Sequence, residues 1–244
     1  MSYNKLMERL IIFGLATGIA NFAYVILGFG STFLALPVLT YSWDLKIIVP
    51  VLIMLSMTVT IPLLISEREH VDAAELGHIL MPILPGIPIG LLIFNYGSSD
   101  LLKKVFGALI LLWVLKTFFI DKKNHVISSR MALIFSFIGG IAYGALSSGG
   151  PFFAAATKSL VTNKKSFRSL LLTAWLFTDS IWLINYFFIA GNSLKPLLQP
   201  FLFSLPFALV ALYLGNYFHN RINQKVFFKI VNVMILIAGI SLIL

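Results

Sequence analysis

From Leu10 to Trp43 the chain runs without a single charged residue. A signal-peptide core spans only roughly 7–15 residues, and a helix needs about 20 to cross the hydrocarbon core. The run therefore reads as retained membrane structure, too long for one upright crossing. Similar stretches recur to the end of the sequence. Of 244 residues, 59% are hydrophobic and 11% charged, against roughly 25% charged in soluble domains. Too little charge is present to cover a water-facing surface, and lipid as solvent removes the difficulty. Backbone polar groups in hydrocarbon must be satisfied internally, so the apolar runs predict helices. They are continuously apolar instead of alternating, which argues against a transmembrane barrel. The expected fold is an all-α polytopic membrane protein.

Charge-poor windows predict eight transmembrane segments, at about 10–41, 47–66, 76–97, 101–120, 131–158, 166–190, 196–218 and 226–244. No gap between them could hold a soluble domain. Segments one and five are overlong, and each is interrupted by glycine, in Gly28-Phe29-Gly30-Ser31-Thr32 and in Gly144-Ala145-Leu146-Ser147-Ser148-Gly149-Gly150-Pro151. Glycine weakens a helix interior by roughly 1 kcal/mol, and proline removes a backbone donor and disfavours a helical residue before it. Both segments are expected to be broken helices. Gly18-Ile19-Ala20 recurs as Gly140-Ile141-Ala142, and Lys104, Leu111 and Gly90 align with Lys229, Leu236 and Gly215. The pattern predicts two four-segment repeats, residues 1–122 and 123–244, each opened by a broken helix.

The 18 Lys and Arg residues outnumber 9 Asp and Glu, but they sit in short loops, which favours cytoplasmic loops of a membrane protein over nucleic-acid binding. Leaving out Lys116 near a helix end, counting basic residues gives sides of ten and seven if segments one and five cross fully, and eleven and six if both fold back as hairpins. Either way the loops near 158–168 and 219–229 are expected in the cytoplasm and both termini outside, in a multi-pass protein of the inner (plasma) membrane. The hairpin arrangement gives the sharper asymmetry.

Broken helices at corresponding positions of two halves are the best sequence pointer to a transporter's substrate site. Unwinding presents backbone N–H groups and positive helix N-termini, which bind an anion without a formal charge in the membrane. Gly28, Gly30, Gly149 and Gly150 would allow close approach, and Ser31, Thr32, Ser147 and Ser148 add hydroxyl donors. Small residues also simply permit tight helix packing. Asp179 is the one acidic residue inside an apolar segment. An ionised carboxylate there costs at least about 2.5–3.5 kcal/mol, so Asp179 is expected to be functional, paired or protonated, and is a candidate proton carrier. Asn21 and Asn185 are secondary polar candidates, and Asn232 a further intramembrane polar group, all with helix–helix hydrogen bonding as the alternative role. Lys46, Lys165 and Arg168, before segments two and six, either draw anions to the pore mouth or anchor in the interface. The chain has no cysteine, its histidines lack metal-ligand spacing, and no P-loop, zinc helix motif or nucleophile elbow occurs. No metal, cofactor or catalytic residue is assigned, and the chain is not expected to be an enzyme or an ATP-driven pump.

The run Gly28-Phe29-Gly30-Ser31-Thr32-Phe33-Leu34-Ala35-Leu36-Pro37, loosely repeated as Ser148-Gly149-Gly150-Pro151-Phe152-Phe153-Ala154, resembles the sulfite exporter TauE/SafE family over nearly the whole chain. The family's first motif is richer in glycine; here Ser31 and Thr32 replace two glycines, and the second motif lacks the later proline. The resemblance implies a secondary transporter moving sulfite, an organosulfonate or a related sulfur-containing or carboxylate anion, often outward. The expected partners are a small anionic substrate and the lipid bilayer. The alternatives are a passive anion channel or facilitator, which needs no titrating group, and a membrane-embedded factor with no transport role.

Overall fold

The structure is a computed structural model that describes residues 3–67, 71–102, 104, 129–161, 163–227 and 229–230. Among the described residues all regular structure is helical. In chain order the helices are α1 (Tyr3–Leu27), α2 (Ser31–Leu39), α3 (Leu45–Glu67), α4 (Ala73–Ile83), α5 (Gly86–Tyr96), α6 (Ser129–Leu146), α7 (Gly150–Leu160), α8 (Lys164–Ile184) and α9 (Lys195–Arg221). One π turn, Asn185–Ile189, extends α8.

Four stretches are long and apolar enough to cross a membrane: Asn4–Leu27, Leu45–Glu67, Lys164–Ile189 and Lys195–Arg221. A fifth is the pair α4 and α5, bent by 49° if taken as one crossing. The sequence reading expected that segment to be unbroken. Pro85 supplies the reason, because it has no N–H and its ring clashes with the carbonyl of the preceding turn. The expected segments at 101–120 and 226–244 lie mostly outside the described residues, as does the expected boundary between residues 122 and 123.

Both glycine-rich breaks reverse the chain. After α2 the indole of Trp43 meets the Phe13 ring edge-on at 5.5 Å and stands 4.8 Å from the Arg9 guanidinium. The chain has thus come back along the first part of α1. Likewise a Cβ on Gly139 would lie 2.6 Å from Cβ of Phe152, so α7 returns along α6. Each of segments one and five is therefore a helical hairpin, the arrangement that also gives the sharper division of basic residues.

Glycine sets the tightest packing. Cβ atoms on Gly86, Gly90, Gly140 and Gly144 would all fall 2.1–2.3 Å from a backbone oxygen where α6 packs on α5 and the end of α4, and only small residues let helix backbones approach so closely. The order of partners, Gly86 with Ile141 and Gly90 with Ala145, makes α5 and α6 parallel. α9 lies along α1 and exposes Leu202, Val210 and Tyr213, an outward apolar face suited to lipid.

Helix starts fall into two kinds. The Asp44 carboxylate accepts from the Lys46 N–H at 2.8 Å, Asp72 from Ala74 and Glu75, and Asn163 from Lys165. These starts are capped by side chains in the ordinary way. α2, α5, α7 and α9 have no side-chain cap, and of these α2 and α7 begin in the interior at the hairpin tips.

Candidate functional site

The first N–H groups of any helix lack an intrahelical partner, which leaves donors at the buried start of α2; at α7 only Gly150 contributes one, because Pro151 has no N–H and Phe152 donates to the Gly149 carbonyl at 3.0 Å. The tips are shaped by backbone that favours glycine. Gly28 and Gly30 have φ of 83° and 103°, and Ser147 takes φ 52° in the second hairpin. The two starts meet. The Thr32 hydroxyl lies 3.5 Å from the Ser147 hydroxyl, and a Cβ on Gly150 would stand 3.6 Å from the Gly30 nitrogen.

At this meeting point lies a polar cavity of about 20 Å³, lined by Gly30, Ser31, Thr32, Ser147, Ser148, Gly150 and Asp179, together with Tyr24, Phe33, Ser56 and Trp175. An accessible volume of roughly 10–15 Å³ holds one water, so a polyatomic ion enters only as the hairpins part slightly. Ser148 is 5% exposed, and its hydroxyl has no hydrogen-bond partner although it lines the cavity. A buried hydroxyl left unpaired costs about 1–3 kcal/mol, which a bound acceptor would recover. Asp179 closes the floor. Tyr143 donates to one of its carboxylate oxygens, and the Ser56 hydroxyl donates to the other at 3.1 Å.

Other sequence candidates lie away from the cavity. The Gly28 carbonyl accepts from the Trp175 indole at 2.6 Å, and a Cβ on Gly28 would press to 3.3 Å from Arg168. Gly149 is enclosed by Gly139, Phe153 and Tyr143. These two glycines shape the tips without lining the space. The Asn21 amide nitrogen donates to the Thr17 carbonyl in its own helix, and the Asn185 amide oxygen accepts from Asn95 at 2.8 Å. The Asn185 contact joins two helices, whereas the Asn21 amide oxygen is buried without a partner.

Arg168 corrects the expectation of an interfacial or pore-mouth cation. It is fully buried and paired with Glu67 at the end of α3. It also donates to the Val25 carbonyl at 2.8 Å and to Asn216 at 3.0 Å. With His219, whose Nδ1 donates to the Ile26 carbonyl at 2.7 Å, and with Trp175, it satisfies the carbonyls that the end of α1 exposes. Cations at a helix C-terminus also complement its dipole. Lys46 reaches the Asn95 carbonyl at 3.3 Å, and Lys165 is exposed. Sequence reasoning missed Tyr24, Ser56, Tyr143 and Trp175. Among the described residues no group of three or more His, Asp and Glu could hold a metal ion.

Long apolar helices enclosing two hairpins that meet tip to tip over a polar cavity define a polytopic helical membrane protein of the transporter type. The chain belongs to the sulfite exporter TauE/SafE family, whose sequence model matches residues 11–242. No curated protein and no solved structure gives a significant match.

Proposed function

We propose that the cavity binds a small oxyanion, with sulfite as the first candidate, between the first turns of α2 and α7, and that the chain carries it outward across the cytoplasmic membrane. The observation that carries this reading is the pairing of the two buried, uncapped helix starts beside the partnerless Ser148 hydroxyl. Helix starts attract anions through their N–H groups and dipoles. The hydroxyls of Ser31, Thr32, Ser147 and Ser148 supply donors for the several oxygens of a sulfite or sulfonate group. The family description points to the same class of cargo.

Asp179 at the floor of an anion site calls for a reason. Two unit negative charges ~6 Å apart repel by about 3 kcal/mol at an effective dielectric constant of ~20. A proton on Asp179 removes that penalty, so anion binding and protonation of this carboxyl favour each other, and transport is coupled to protons. The two hairpins then open repeats of four segments each. The basic side, with Lys164, Arg168 and Arg221, faces the cytoplasm, and both termini lie outside.

Sulfite flux in proteoliposomes tests the reading, measured at a fixed anion gradient with and without an imposed pH gradient. The proposal expects flux that the pH gradient accelerates or drives uphill. Flux that follows the anion gradient alone indicates a passive facilitator, and no flux of any small sulfur oxyanion removes the proposed function.

A further inference from the structure

Two hydrogen bonds beside the cavity occupy matching positions. Tyr24 lies one turn before Gly28, where φ turns positive, and Tyr143 lies one turn before Ser147, where it does so again. The helices after the breaks start at Ser31 and Gly150, and the next helices are capped by Asp44 and Asn163. All of these pairs share one offset of 119 (24 to 143, 28 to 147, 31 to 150, 44 to 163). At the same offset, Thr60 corresponds to Asp179 (60 to 179) and Ser56 to Trp175 (56 to 175). The Tyr24 hydroxyl bonds Thr60 at 2.6 Å, and the Tyr143 hydroxyl donates to Asp179.

The geometry points to Tyr143 as the positioning residue of the Asp179 carboxyl, and to Tyr24–Thr60 as its neutral counterpart in the other half of the same site. One tyrosine arm thus occurs twice, once bonded to a hydroxyl that cannot titrate and once to a carboxyl that can. The groups facing Asp179 are hydroxyls from three helices: Tyr24 on α1, Ser56 on α3 and Tyr143 on α6. The Tyr143 ring is held at 5.5 Å over Trp175, and Trp175 in turn holds the Gly28 carbonyl. The carboxyl is therefore mechanically tied to both hairpin tips, and a change at either tip reaches it through a rigid aromatic stack. This deepens the coupling role proposed above, but it can be tested on the carboxyl itself, whatever the cargo.

The test is infrared difference spectroscopy of the purified protein in lipid nanodiscs, acidified until the carboxyls are protonated. The Asp179 carbonyl stretch is assigned as the band lost in Asp179→Asn. Removing a hydrogen-bond donor raises the frequency of such a stretch. In Tyr143→Phe, which keeps the ring stack, the band should move to higher frequency. Tyr24→Phe should leave it close to its wild-type position, whatever that variant does to ligand binding. A general loosening of the core would move the band alike in both variants. The exchange Thr60→Asp with Asp179→Thr makes the sharper form: the band should persist and respond to Tyr24→Phe in place of Tyr143→Phe. An unmoved band in Tyr143→Phe, or equal shifts in the two tyrosine variants, overturns the inference. If the exchanged protein does not fold, the two single tyrosine variants decide the matter.

Discussion

The Thr32 hydroxyl at the start of α2 lies 3.5 Å from the Ser147 hydroxyl at the tip of the second hairpin, across 115 positions of sequence. At that length the contact is a weak hydrogen bond. The hairpin tips are thus joined at the cavity by a polar contact that costs little to separate. An oxyanion placed between the two hydroxyls would replace one poor bond with two charge-assisted ones, which are roughly twice as strong as neutral bonds.

Ser148 gives a prediction in which stability and binding move in opposite directions. Its buried hydroxyl has no partner, so Ser148→Ala removes an unsatisfied group and should leave the ligand-free melting temperature unchanged or raise it. The same substitution removes a donor from the anion and should weaken sulfite binding by roughly five- to tenfold, since one hydrogen bond is worth about 1 kcal/mol. Isothermal titration beside a melting curve reads both quantities. A variant that loses stability and binds as wild type would assign Ser148 to packing alone.

The buried pair of Arg168 and Glu67 should behave as structure. Arg168→Leu leaves a buried carboxylate and the Val25 carbonyl without their partner, a loss of about 3–5 kcal/mol for breaking a buried pair. Glu67→Leu added to it should restore part of that loss, because the stranded charge is gone. Thermal unfolding of the single and double variants in detergent checks this. Equal melting temperatures for wild type and Arg168→Leu would show that the pair carries no stability.

How far the sequence reached depends on the range of each signal. Clusters of glycine and serine, and a lone carboxylate in an apolar run, are local anomalies, so Gly30, Ser147 and Asp179 stand out in the letters alone. Tyr24, Tyr143 and Trp175 do not, since an aromatic residue in an apolar helix looks the same whether it packs or donates. Arg168 resembled an interfacial cation because its acidic partner is 101 positions away. Gly28 and Gly30 are equivalent as letters, and only the fold separates the glycine pressed against Arg168 from the one with open space beside it. The matched Gly-Ile-Ala triplets suggested an offset of 122 (18 to 140), whereas the tyrosines and helix starts correspond at an offset three shorter.

Asp179→Asn should keep the fold, because its amide oxygen still accepts from Tyr143 and its NH2 group can donate to Ser56. It should also abolish the acceleration of sulfite flux by a pH gradient, while leaving flux down the anion gradient measurable. Proteoliposome flux at several external pH values checks this. Unchanged pH dependence would remove Asp179 from the coupling step.

Orientation can be read in intact cells, and the absence of native cysteine makes single-cysteine labelling clean. Ser193→Cys, in the exposed loop before α9, should react with an impermeant thiol reagent. Gln224→Cys, just beyond α9, should react only after permeabilisation. The reverse pattern would invert the proposed topology.

Gly30 gives the most direct test of the central claim that an anion binds between the two helix starts. Its φ of 103° and the open space where a Cβ would stand mean that the Cβ of Gly30→Val meets no neighbour, while the substitution strains the backbone by roughly 1–2 kcal/mol and its two methyl groups fill the cavity. The measurement is the melting temperature of wild type and Gly30→Val, each without ligand and across a sulfite titration. At a concentration one hundred times its dissociation constant, a ligand stabilises by about 2.7 kcal/mol. The account predicts such a rise for wild type and none for Gly30→Val, whose ligand-free protein still melts cooperatively. An equal sulfite-induced rise in both proteins would contradict it.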